Sequence, residues 1–200
     1  MKRSKLKDLT IHITDGEHSS VIDTPATNYY LLSNKNIIDG NIVITEEDRT
    51  ISKTVLDKIN KRTLLSEGDV IISTVGTIGK TAIIKEKPFF DFQRSVGIIK
   101  CNSEKLLPEY LFYYLNLPTT QNRLKALSKG AIQKCLFIND LEDFIIDYPE
   151  NIKKQKEIVK SLMNIDNQIE RNNIMIQKLQ TFVYTICCIS HKKGELRYAC

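Results

Sequence analysis

Near the end of the chain, Gln155, Ile158, Leu162, Ile165, Ile169, Asn172, Ile176, Leu179, Val183 and Ile186 follow one another at alternating spacings of three and four. That is the seam of a coiled-coil helix. At ~1.5 Å per residue the stretch from Ile152 to Ile186 spans roughly 50 Å, too long to lie across one small domain with a single face covered. The seam therefore predicts a second helix, from another chain or from a missing second half. Lys156, Glu157, Lys160, Asp166, Gln168, Glu170, Arg171 and Lys178 fill the flanking positions, as a solvated exterior requires. Asn172 lies in the seam itself, where an amide costs stability but fixes register and partner number. The competing reading is a long helix that packs its stripe on its own core, and the unbroken register argues against it.

The rest of the 200 residues suffices for one domain of ordinary size, and an apolar content of 42% gives it a real core. No apolar run is long enough to span a bilayer, and the basic start Met1 to Lys7 leads into amphipathic sequence instead of a signal-peptide core. A cytoplasmic protein is expected. Cys101, Cys135, Cys187, Cys188 and Cys200 form no CxxC pair, and His12, His18 and His191 are scattered, so reduced thiols and no metal site are expected. A net charge of +5 favours a nucleic-acid partner only slightly over an ordinary basic surface. Its distribution says more. Acid concentrates in Glu46-Glu47-Asp48 and around Glu142-Asp143, while basic residues gather at Lys2 to Lys7, at Lys53, Lys58, Lys61 and Arg62, and around the most strand-like part of the chain.

That part is Val70 to Val75 and Thr81 to Ile84, β-branched runs separated by Gly76 and Gly79, with Ser95 to Ile99 as a third. After Pro108, the run from Glu109 to Leu115 reads as a short aromatic helix, with proline at its mouth and glutamate in its first turn. The fold class is α/β, of the mixed α+β kind: a β-rich domain over 1–150, a coiled-coil helix over 151–188, and a tail over 189–200 that reads as a connector toward a second domain.

Catalytic readings fail on spacing. Gly79-Lys80-Thr81 resembles the end of a phosphate loop, but the required first glycine is Thr74, and strand follows where a helix N-terminus should hold the phosphates. A nucleotide-hydrolysing fragment around Lys80 is thus the weakest of three functional readings. No Asp or Glu has Lys two residues later, as metal-dependent nucleases require, and no Asn/Asp-Pro-Pro-aromatic motif or serine elbow occurs. No enzyme activity is expected.

Four stretches carry a resemblance. Leu65 to Lys80, followed by Leu107 to Leu115, resembles the target recognition domain of type I restriction-modification specificity subunits. Ser128 to Lys134 resembles that family's glycine-centred loop before the last strand, and Tyr148-Pro149 through Val159 resembles the start of its spacer helix, with Lys154-Gln155 where the family has Glu-Gln. The likeness covers nearly the whole chain, although family members carry two recognition domains and two antiparallel spacer helices where this chain has one of each. It implies a non-catalytic subunit that reads one half of a bipartite target in double-stranded DNA. It also implies a methyltransferase (M) subunit and a restriction (R) subunit as partners, and no cofactor of its own, since methyl donor and ATP would bind those subunits. Two helices of such length would set two reading heads more than one duplex turn of about 34 Å apart.

Chemistry ranks the candidate readers. Arg94 and Lys80 suit guanine O6 and N7, and Gln93, Gln133 and Asn36 suit adenine N6 and N7. Lys35, Lys53, Lys129 and Lys134 are the candidate phosphate contacts. For each, the competing reading is a solvated or capping side chain. Tyr29 and Tyr30 suit either base stacking or a half-buried core position. Ile158, Leu162, Ile165, Ile169, Asn172, Ile176, Leu179, Val183 and Ile186 are the expected dimerisation seam, with self-pairing preferred. The rival from another class is a coiled-coil assembly module whose β-rich domain binds protein.

Overall fold

The computed structural model describes residues 1–130 and 134–192, with side chains described as far as residue 186. Gln133 and the end of the tail lie outside the described residues. Met1–Val159 forms one compact unit, and a second begins at Lys160.

The apolar runs read from sequence become the middle of a four-stranded antiparallel sheet. Its order is β2 (Thr10–Asp15), β9 (Val96–Cys101), β6 (Val70–Ser73) and β7 (Thr81–Ile83). Side chains alternate across it. On one face Val70, Ile72 and Ile99 join a large core with Leu111, Leu115, Leu141 and Phe144. On the other, Ile71, Ala82 and Ile98 meet Leu32, Ile37, Phe90 and Phe92. Both faces are covered, which is why β6 reads as an unbroken apolar run instead of an alternating one. Each buried Ile or Val contributes about 1.5–3 kcal/mol of transfer free energy to this arrangement.

The covering elements follow local rules. α2 (Pro108–Asn116) opens on its proline, as the sequence indicates, and α3 (Pro118–Leu127) repeats the device. β4 (Ile37–Ile38) and β5 (Asn41–Ile42) pair across Asp39-Gly40, whose φ values of 47° and 78° make the primed turn that such a dipeptide favours. α4 (Ile138–Glu142) precedes β10 (Ile145–Tyr148), which pairs antiparallel with β1 (Lys2–Lys5) and so ties the first residues of the chain to the end of the domain.

Across the second face, β3 (Tyr30–Leu32) runs parallel to β8 (Phe90–Phe92). Tyr30, Phe89, Phe90 and Phe92 stack edge-to-face along this pair at 5.6–6.0 Å. α1 (Lys53–Thr63) packs beside it, capped by the Ser52 hydroxyl, and places Thr63 over the fully buried Asp91. The Thr63 hydroxyl donates to Asp91 at 2.6 Å and the Phe92 amide at 2.7 Å. Burial still outweighs these bonds and pushes the Asp91 carboxyl up to about 6. Tyr29 and Tyr30 are half-buried packing residues, the second of their two readings.

The long helix, α5 (Ile152–Lys192), begins inside the compact unit. Gln155 is wholly buried, so its place at the head of the seam is corrected. Its Oε1 accepts from the Leu107 amide at 2.9 Å, and its Nε2 donates to the carbonyls of Lys105 at 2.9 Å and Pro149 at 2.7 Å. Ile158 is half-buried against the large core, and Val159 beside it is buried. Beyond that point the stripe is open, with Ile165, Ile169, Ile176, Leu179 and Val183 each half exposed or more.

Two outcomes follow from buried polar groups. Replacing Gln155 by Leu strips partners from one amide and two carbonyls, and should lower the stability of the domain by about 2–4 kcal/mol in a urea titration followed by tyrosine fluorescence. Asp91 sets a pH dependence. Its pKa rises from 3.8 to about 6 on folding, so its contribution is complete below pH 3.8 and lost as pH climbs through 6. At ~1.36 kcal/mol per unit the loss is about 3 kcal/mol. Asp91→Asn should remove most of the stability difference between pH 4.5 and 7.5 that titrations of the native chain show.

Candidate nucleic-acid interface

The antiparallel register brings four strand ends together. Asp15 ends β2 opposite Gly97, Ser73 ends β6 opposite Val96, and Thr81 opens β7 opposite Ile72. The loops that leave these ends are stitched by backbone bonds. The Gly16 amide donates to the Val96 carbonyl at 3.0 Å, the Arg94 amide to Glu17 at 3.0 Å, and the Thr74 amide to Ser95 at 2.9 Å. Two further segments join them. Asn34 Nδ2 donates to the Val75 carbonyl at 2.6 Å, and the Gly76 amide donates to Lys134 at 3.0 Å. Lys129 and Cys135 exchange both backbone bonds.

Two glycines allow this crowding. A Cβ on Gly16 would stand 2.1 Å from the Phe92 carbonyl oxygen, inside any contact distance, so only glycine lets β2 turn against the end of β8. Gly79 has φ +90°, and its missing Cβ leaves room for Gln121 of α3. That amide donates to the Gly79 carbonyl at 2.8 Å and to Leu115 at 2.7 Å, which fixes the loop between β6 and β7 to the helices behind it.

Of the nine polar residues singled out from sequence, Lys35, Lys80, Gln93, Arg94, Lys129 and Lys134 come to this one end of the sheet. Lys80, Arg94 and Lys134 are exposed and make no ion pair with any described residue. Lys129 pairs with Asp140 at 3.0 Å, an exposed lysine head on a contact weak enough to exchange for a phosphate, whereas Lys35 pairs at 2.8 Å with the buried carboxylate of Asp48 and is the more firmly held of the two. Burial alone would raise the Asp48 carboxyl, but hydrogen bonds from Lys35, Asn36 and Thr45 prevail and hold it at about 2.

The remaining three do not join them. Asn36 is buried, its Oδ1 accepting from the Ser33 amide and its Nδ2 donating to the Val43 carbonyl. It holds a turn and presents no edge to a base, so its place among the readers is corrected. Lys53 sits at the start of α1, paired with Asp57 one turn on at 2.7 Å, and among the described residues no hydrogen bond or ion pair links its side chain to these loops. Gln133 lies outside the described residues.

Other groups of this end have short or unremarkable spacings in the sequence. Arg62, at the end of α1, donates to the Thr14 hydroxyl at 3.3 Å and to the carbonyls of Asp15 at 3.0 Å and Gly16 at 2.5 Å. It braces the turn that carries Glu17 and His18, and His18 meets Asp15 at 2.6 Å. A lysine-arginine-threonine run at a helix end gives no signal of that long-range role. Among the described residues no group of His, Cys, Asp and Glu is placed to hold a metal ion.

Comparison with known proteins decides the family. Residues 5–181 match the Type I restriction modification DNA specificity domain. The chain belongs to this family. It is 30% identical over 125 residues to the specificity subunit of the type I restriction enzyme EcoBI of Escherichia coli, 62% of this chain and 26% of that protein. Over 117 residues it is 32% identical to the putative MjaX specificity subunit of Methanocaldococcus jannaschii, covering 56% of this chain and 27% of that one. The fold matches the S subunit of M. genitalium with a TM-score of 0.59 at 19% identity, over 85% of this chain and 40% of that one. A chain from a structure on complex assembly and conformational transition of the type I R-M system gives 0.65 at 16% identity, over 98% and 46%. This specificity-family chain thus spans about a quarter of the curated relatives and under half of the solved chains that it matches. Among its described residues no helix is long and apolar enough to cross a membrane.

Proposed function

We propose that the chain is a non-catalytic DNA specificity subunit that reads one half of a bipartite target and directs a partner adenine methyltransferase, with a restriction subunit as a further partner. The observation that carries this reading is the gathering of Lys35, Lys80, Gln93, Arg94, Lys129 and Lys134 at one end of a sheet whose faces are both covered. Exposed lysines there suit phosphate, and Arg94 and Gln93 have the donor geometry for guanine and adenine edges. Membership of the specificity family supports the same assignment.

The open stripe on α5 supports a second copy as the other half. A row of half-exposed Ile, Leu and Val at heptad spacing is stable in water only against another helix. An antiparallel pair with twofold symmetry carries two identical heads, and identical heads read an inverted repeat interrupted by unread base pairs.

Expressing the chain with a methyltransferase subunit in cells and mapping methylated adenines tests the function, and an interrupted palindrome is the expected target. A native chain that directs no methylation and binds no duplex defeats the reading in favour of a protein-assembly role. Arg94→Ala should weaken binding to the mapped site by about 1–3 kcal/mol and spare random duplex, whereas equal losses on both would make Arg94 a phosphate contact. Exchanging Ile165 and Ile169 for Glu should give a soluble monomer by light scattering that no longer recognises the two-part site. A native chain that is monomeric at high concentration and directs an asymmetric site would rule out self-pairing.

A further inference from the structure

Glu17, at the reading end, has the wrong sign for a phosphate surface and, unlike Asp15, Asp48 and Asp140, makes no ion pair with any described residue. Glu17 is the partner of Gln93 across an isolated parallel bridge, which sets the two side chains on the same side of the paired backbones. The bridge is closed by the Glu17 amide on the Phe92 carbonyl at 2.6 Å and the Arg94 amide on the Glu17 carbonyl at 3.0 Å. Gly16 and the Arg62 brace hold the chain in this approach. The carboxylate is also fixed from its own side. The Ser19 hydroxyl and amide both donate to Oε1 at 2.7 Å, so a donor from outside can reach Oε2. These bonds, aided by the Arg62 charge, hold the carboxyl below the usual glutamate range and keep it ionised at neutral pH.

An ionised acid among lysines weakens binding to every duplex alike through repulsion of phosphate. It gains something only at a base that offers a donor. In the major groove cytosine presents its N4 amino group, while guanine and thymine present acceptors that a carboxylate repels, and adenine sets its N7 acceptor beside the amino group. The geometry points to Glu17 as a specificity-determining residue that accepts a hydrogen bond from a cytosine N4 amino group, beside the base addressed by Gln93. This rests on the DNA-reading function proposed above. Glu17 acts as much by exclusion as by attraction, since a wrong base leaves a carboxylate facing an acceptor.

Glu17→Gln separates this role from a structural one. The variant keeps an oxygen for both Ser19 bonds and only replaces the outward oxygen by an amino donor, so a residue that merely holds the loop would tolerate it silently. The test is methylation mapping with the full chain and its methyltransferase, native against variant, with thermal melting to confirm the fold. One half-site position should change from cytosine to adenine or to no preference, the other positions should stay, and binding to random duplex should strengthen severalfold. An unchanged motif, or a native motif with no fixed cytosine in its half-sites, overturns the role of Glu17 while leaving the specificity function standing. A native chain that directs no methylation defeats the function itself, and this inference with it.

Discussion

Burial of both faces of the central sheet constrains everything else in the domain. Val70, Ile71, Ile72 and Ser73 are all inside, as are Val96, Gly97, Ile98 and Ile99, so the two central strands have no face of their own to offer a ligand. What is left is its ends. At one of them four strands start or stop together, and the loops there are held by backbone bonds to β8 and to the segment around Cys135, and by the Asn34 side chain to the turn after β3. Side chains on such loops are positioned by a rigid scaffold yet free of its packing. Residues at these loops can therefore change without disturbing the core.

The elements that were legible in the sequence are those whose signal is local. The runs from Val70 and Thr81, the Pro108 helix start and the heptad stripe each state their structure within a few residues. β8 carries no such signal. Phe90-Asp91-Phe92 has an acid at its centre, and its parallel pairing with Tyr30–Leu32 joins segments about sixty residues apart, which only the folded chain reveals. The pairing of β1 with β10 is more distant still.

For the candidate site, residue type was informative and position was not. Asn36 and Gln93 have the same kind of head group, yet one is sealed in a turn and the other is half-exposed at the reading end. Nothing in their neighbours distinguishes an amide that satisfies backbone from one that is free to meet a base. Gln155 shows the same ambiguity on the helix. Its spacing from Ile158 matches the seam, but three bonds to loop backbone occupy its amide completely enough to dock the first turns of α5 on the domain. Arg62 and Glu17 were overlooked for the opposite reason: their roles depend on contacts across the fold, which spacing cannot express.

That docking alters what the seam can do. With Gln155 and Ile158 engaged by the domain, the stripe left for a partner helix runs from Leu162 to Ile186. Its spacings read the same in both directions, with their centre between Asn172 and Ile176. In the antiparallel self-pairing proposed above, Leu162 would face Ile186 of the second copy, Ile165 Val183, Ile169 Leu179, and Asn172 Ile176. Each amide would then face Ile176 of the second copy, but the two copies of Asn172 would lie in the neighbouring layers on either side of the dyad, close enough to meet each other. A heptad shift that sets Asn172 opposite Val183 parts the two amides by three layers and leaves each buried among aliphatic side chains with no partner, at a cost of about 1–3 kcal/mol for each unmet group. The opposite shift, which sets Asn172 opposite Ile169, keeps the amides adjacent but leaves Val183 and Ile186 beyond the open stripe of the second copy. The polar position that looks like a defect in an apolar stripe, together with full overlap of that stripe, would thus select one antiparallel register.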